Sequence, residues 1–196
     1  GTLKLTIGGV TETPNNFQGY WKDNGSGLKR LLRSGDVAPG TGGALFNAIP
    51  TIPVPGLNAT GDVTLLSALR PGSGSPTVTA SNDSAMWSEV GGNGLQLLMR
   101  EDDDVPGISG AKVASFGYGC YATATTGATT GQAVFAIKMK GNTTDSALLR
   151  HSITGPAAAT VSIVAREKTA APGAGGELFG ALHSTLGAAT RMDTSA

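Results

Sequence analysis

A single cysteine, Cys120, gives this chain no partner for an internal disulfide, so the fold cannot rest on a stapled framework. We read that thiol as buried and inert. Charge is equally scarce. Charged residues are 14% of the chain, and 14 basic residues balance 14 acidic ones. Nucleic acids and anionic membranes need a basic footprint, and none is present. No apolar run reaches the roughly 18 residues of a spanning helix, so no membrane span is expected. The two histidines, His151 and His183, stand in no metal-ligand spacing and beside no cysteine. No serine lies in a Gly-x-Ser-x-Gly elbow. Gly117-Tyr-Gly-Cys-Tyr-Ala122 mimics a dinucleotide fingerprint but has no βαβ setting around it. The first residue is Gly1 rather than Met and no signal peptide is visible, so the chain reads as processed, trimmed or cut from something longer.

What the chain does have is order. Apolar residues reach 39% and recur in regular patterns, which argues against disorder despite 30 glycines. Few Lys and Glu among many Thr and Gly suit an extracellular or cell-surface protein. Four Asn-x-Ser/Thr sequons, at Asn24, Asn58, Asn82 and Asn142, are candidate glycosylation sites in that setting.

The strongest pattern is internal repetition. Leu28-Lys-Arg-Leu-Leu-Arg33 runs into a turn ending Pro39-Gly40. Leu95-Gln-Leu-Leu-Met-Arg100 runs into Pro106-Gly107, and Val161-Ser-Ile-Val-Ala-Arg166 into Pro172-Gly173. Arg precedes Pro by six residues each time, and the prolines are 67 and 66 residues apart. Three further landmarks keep the same phase. Strand-like alternation follows Gly1, Gly61 and Gly131, with Leu3, Leu5 and Ile7 on one face of the first copy. Trp21, Trp87 and Leu149 share one position, which marks a core slot. Phe46, Val113 and Phe179 follow the Pro-Gly turns.

Such a period means one supersecondary unit copied in tandem. The units are roughly 1–60, 61–130 and 131–196, each with about four short strands. The expected fold is all-β, of tandem four-stranded repeats, propeller-like. A β-solenoid or a stacked β-sandwich is the alternative. Leu178, Leu182 and Leu186 have helical spacing, but the equivalent segments do not, so strand and loop are expected there.

The elements Gly-Asp-x-Ala-Pro-Gly, Asn-Asp-Ser-Ala-Met-Trp and Asn58-Ala-Thr-Gly61 together resemble a bacterial tandem-repeat family named for its Asn-x-x-Gly-x-x-Ala-Phe motif. Arg33, Gly35, Asp36, Pro39 and Gly40 carry one half of its Arg-Glu-Gly-Asp-x-x-Pro-Gly element, and Arg100, Glu101 and Asp103 the other. The third copy departs with Thr169, and the second Asn-x-x-Gly element has Ala128 before Gly131. The resemblance implies a β-propeller in an exported or surface-anchored protein. It carries over no catalytic residues.

Glu101, Asp102, Asp103 and Asp104 form the sharpest charged run. A Ca²⁺ site is one reading, because hard cations take clustered carboxylate oxygens. The other is a solvated turn in which Asp103 pairs with Arg100, as Asp36 does with Arg33. Otherwise no cofactor is expected. The repeated arginines suit the tying of turn carbonyls or carboxylates.

The ends add one more expectation. Thr194, Ser195 and Ala196 sit where Asn58-Ala-Thr stands before Gly61, so tail and head are in phase. The expected function is a non-catalytic, exported structural protein. It self-associates head to tail, as homo-oligomer or polymer, with residues 1–7 as the donated strand. The alternative is a secreted propeller that binds glycans through aromatics such as Tyr118 and Tyr121.

Overall fold

The computed structural model describes residues 2–4, 18–23, 25–48, 55–92, 94–127, 130–141, 143, 145–154 and 159–182. These residues are all-β and include no helix, hence none long and apolar enough to cross a membrane. Three antiparallel sheets follow one another along the chain. The first holds β1 (Thr2–Lys4), β2 (Gln18–Asp23) and β3 (Leu28–Arg33). The second holds β4 (Gly56–Leu57), β5 (Val63–Ala68), β6 (Ser84–Ser88) and β7 (Gln96–Arg100). The third holds β8 (Ala111–Gly127), β9 (Thr130–Gly141), β10 (Ser146–Thr154) and β11 (Ala159–Arg166). In each sheet the strands lie in chain order.

Alternation explains these strands. Ala133, Phe135, Ile137 and Met139 of β9 are all buried on one face. Strand β5 is buried on both faces: Val63 and Leu65 pack with Tyr20, Leu32 and Phe46, whereas Leu66 packs with the apolar residues of the third sheet. The second sheet is therefore the middle layer. The mixed second face of these strands in the sequence reflects that double burial.

The unit boundaries at residues 61 and 131 fall inside sheets, between β4 and β5 and within β9. The second and third sheets each open with a strand from upstream of that boundary. Alternation marks where a strand lies but not which sheet it joins. Among the described residues the third sheet has four strands and the first has three. Strand β1 is used within its own chain, with Leu3 opposite Gly19 in its pairing to β2. Among the described residues no strand lies along its other edge.

Candidate functional site

One loop leaves the last strand of each sheet, and the three backbones bond alike. The amides of Asp36, Asp103 and Thr169 donate to the carbonyls of Arg33, Arg100 and Arg166. Those of Gly35, Asp102 and Lys168 donate to Phe46, Val113 and Phe179. Those of Ala38, Val105 and Ala171 donate to Ala44, Ala111 and Glu177. The Pro-Gly glycines sit at φ 77, 78 and 76°, a left-handed geometry that glycine adopts without strain. The residue two after each Arg is left-handed as well. It is Gly35 in the first loop but Asp102 (φ 71°) and Lys168 (φ 63°) in the others.

The first two loops cover the sheet that follows. Trp87 is fully buried, donates its indole N–H to the Pro39 carbonyl at 3.1 Å, and meets Phe46 edge-on at 5.0 Å. Gly40 lies against Leu97 where a Cβ would stand 2.8 Å from the Leu97 Cβ, so no side chain fits there. Lys22 of β2 lies 2.6 Å from the buried Glu89 carboxylate and donates to the Gly61 carbonyl at 2.8 Å. This charge-assisted pair ties the first sheet to the second. Leu149, in the third sheet, occupies the Trp87 position and is also fully buried, in one cluster with Val105 of the second loop and Val113 at the start of β8. The core-slot reading of Trp87 and Leu149 holds, and Trp87 offers no face to a sugar.

The corners where loop meets sheet carry the charge. The buried Glu101 carboxylate accepts from the Ser84 amide at 3.2 Å. Burial, then the neighbouring Asp83 carboxylate, pushes Glu101 up to about 7. The rest of the acidic run fans out from it. Asp102 meets Lys140 at 3.2 Å, Asp103 accepts from the Arg100 amide at 2.7 Å, and the exposed Asp104 meets Lys112 at 3.3 Å. The four carboxylates thus answer to four different partners. Among the described residues no group of three or more His, Cys, Asp or Glu could hold a metal ion.

The repeated arginines divide their work. Arg100 donates through Nε to the Asn82 carbonyl at 2.7 Å, and Arg166 meets the Asp145 carboxylate at 2.9 Å. Arg33 lies 3.5 Å from Asp36. Asp103 pairs with the backbone of Arg100 rather than with its guanidinium. In the third corner Lys168 adds a 2.6 Å contact to Asp145, and these cations, with a Thr143 hydroxyl, hold Asp145 down at about 2. Glu167 takes both the amide and the hydroxyl of Ser146, which lower it below the usual carboxylate range.

The other candidate positions are placed as follows. Asn58 closes its own turn, accepting from the Asp62 amide at 2.7 Å and donating to the Asp62 carboxylate at 3.2 Å. Asn82 accepts from the Thr79 amide at 2.7 Å and donates to the Thr77 carbonyl at 3.3 Å. Asn24, Asn142, Leu5, Ile7, His183, Thr194, Ser195 and Ala196 lie outside the described residues, as do the side chains of Leu3, Tyr118, Cys120 and Tyr121. His151 is on the buried face of β10 with Leu149 and Ile153, and desolvation lowers its pKa. The Glu101, Arg100 and Asp145 corner contacts and the Lys22–Glu89 tie escape sequence reasoning, because their partners lie 17 to 67 residues apart.

Residues 57–189 match the model of a family of unknown function (DUF7453). No curated protein and no solved structure matches the chain.

Proposed function

The chain belongs to the DUF7453 family, whose function is unknown, and from that premise we propose that it is an exported, non-catalytic structural protein that self-associates head to tail by β-strand complementation. Its sheets serve as the blades of a propeller-like assembly. The observation that carries this reading is the edge of β1. The second and third sheets each open with a strand that follows the preceding Arg-to-Pro-Gly loop, β4 after the first loop and β8 after the second. Among the described residues the first sheet has three strands, and β1 forms its edge. Residues 183–196, with Thr194, Ser195 and Ala196, follow the third loop as β4 and β8 follow the first two. In this reading they pair with β1 of a neighbour. Backbone ladder bonds supply the affinity of such strand addition, and an open edge is the template for it.

Light scattering on the intact chain and on a chain lacking residues 1–7 tests the proposal. The intact chain is expected to give masses above that of one copy, rising with concentration. The shortened chain is expected to keep its β-sheet circular dichroism and to lose that growth. An intact chain that stays a folded single copy at every concentration overturns the reading.

A further inference from the structure

One loop-on-sheet interface occurs twice inside this chain, and one half of it is left over at each end. Within the chain the first loop covers the second sheet and the second loop covers the third. The apolar residues that close those loops, Phe46 and, at the start of β8, Val113, are fully buried, and so are the sheet residues beneath them, Trp87 and Leu149. The third loop has the same backbone bonds, yet Phe179 is only half-buried and Leu178 is 60% exposed. The face of the third sheet beside it is also uncovered. Met86 and Leu98 of the second sheet are buried under the third sheet, whereas Leu148 and Val164, at the same places in the third sheet, are half-buried and 51% exposed.

The matching half lies on the first sheet. Trp21 stands where Trp87 and Leu149 stand, each just after a β-bulge in its pairing with the last strand of its sheet. It is half-buried instead of fully buried. Its ring lies over Gly19, at a place where the other sheets have Ala85 and Ala147. Among the described residues its indole N–H has no acceptor like the Pro39 carbonyl that serves Trp87.

We infer that the third loop of one copy docks on the first sheet of a second copy, making between chains the interface that each chain makes twice within itself. Phe179 and Leu178 then cover the outer face of the first sheet, and the Trp21 indole turns to the Pro172 carbonyl of its neighbour. Side-chain turns of this size are common on binding. The inference rests on the self-association reading and assigns it a surface. The contact joins two different faces, so it closes into a ring or runs on as a filament.

Complementary variants test it. One carries Val164→Asp and Leu178→Asp, both at exposed positions. The other carries Trp21→Asp on the opposite half. Sedimentation velocity at a concentration where the intact chain associates is expected to show each variant alone as a single copy. Mixed at equal amounts, they are expected to form a one-to-one dimer, because each supplies the half that the other lacks. Trp21→Phe keeps an aromatic ring but gives up the N–H and part of the indole's contact area, and is expected to weaken association by at least about tenfold, the worth of one good hydrogen bond. It also decides the matter if Trp21→Asp fails to fold by circular dichroism. Variants that associate as the intact chain does, or a mixture that stays monomeric, overturn the inference. If the intact chain is itself a single copy, the self-association reading falls too. If it associates, deletion of residues 1–7 abolishes this, and both face variants associate unchanged, this surface alone is wrong.

Discussion

At the corner of the second sheet Asp83 lies beside Glu101, with Arg100 turned away to the Asn82 carbonyl. At the same corner of the third sheet Asp145 lies between Arg166 and Lys168, and Glu167 rests on Ser146. The backbones bond alike, so the side chains make the difference. In the third corner two cations keep Asp145 ionised, at about 2. In the second, Asp102 replaces the second cation, and Asp83 lies between the Ser84 hydroxyl and a buried carboxyl. That carboxyl, Glu101, keeps its proton up to about 7. One loop geometry therefore hosts two opposite ways of seating a carboxylate: with a counter-charge, or with a proton.

The two corners pull stability in opposite directions with pH. Glu101 binds its proton more tightly in the folded chain, so its corner is most favourable below the ordinary 4.5 and loses stability as pH rises to about 7. Asp145 is held down, so its contribution is full above the ordinary 3.8 and is lost as pH falls toward about 2. The largest effect is expected from Glu101→Gln. The amide copies the protonated acid: it accepts from the Ser84 amide and donates to Asp83 without titrating. At pH 8 we expect a gain of about 1–2 kcal/mol, the shift discounted for partial solvent screening, and little change at pH 4. Urea unfolding at both pH values measures it, and an equal effect at the two breaks the comparison.

A smaller effect comes from converting the third corner into the second. Lys168→Asp removes the 2.6 Å contact and sets a carboxylate beside Asp145 and Glu167. The Asp145 pKa is expected to climb from about 2 past the ordinary aspartate value, and the melting temperature at pH 7 to fall. A carboxyl-carbon NMR titration reads the first, and a melt reads the second. An Asp145 that stays near 2 would show that Thr143 and Arg166 hold it without the lysine.

The frame of these corners was legible in the sequence, and their chemistry was not. The constant Arg-to-Pro spacing locates all three loops, and the alternation of Phe135, Ile137 and Met139 locates β9 and its buried face. The shared slot of Trp87 and Leu149 points to the core, where both lie. The four-residue acidic run misleads because neighbours in a turn point different ways: Glu101 goes inward, Asp103 to its own loop, and Asp102 and Asp104 to lysines of the third sheet. Sequence adjacency fixes the spacing of Cα atoms but not the convergence of oxygens. The three-stranded first sheet was hidden for a similar reason. A strand of two residues, β4, has no periodicity to read, yet it decides which sheet receives a fourth member.

The smallest expected effect separates backbone from charge. The first loop has Gly35 at φ 85°, where the others hold Asp102 and Lys168 in the left-handed region. A non-glycine residue there costs on the order of 1 kcal/mol, which glycine relieves, less the entropy it adds to the unfolded chain. Asp102→Gly also gives up the contact with Lys140, made by a half-exposed carboxylate and worth little. The net expectation is a gain of about 0.5 kcal/mol. Lys168→Gly receives the same backbone relief but strips Asp145 of its closest cation, so its denaturation midpoint at pH 7 is expected to move the other way. The corners differ by charge on a common backbone only if these signs are opposite. If both variants are stabilised alike, the strained residue rather than its charge sets the corner, and the Lys168–Asp145 contact contributes nothing to folding.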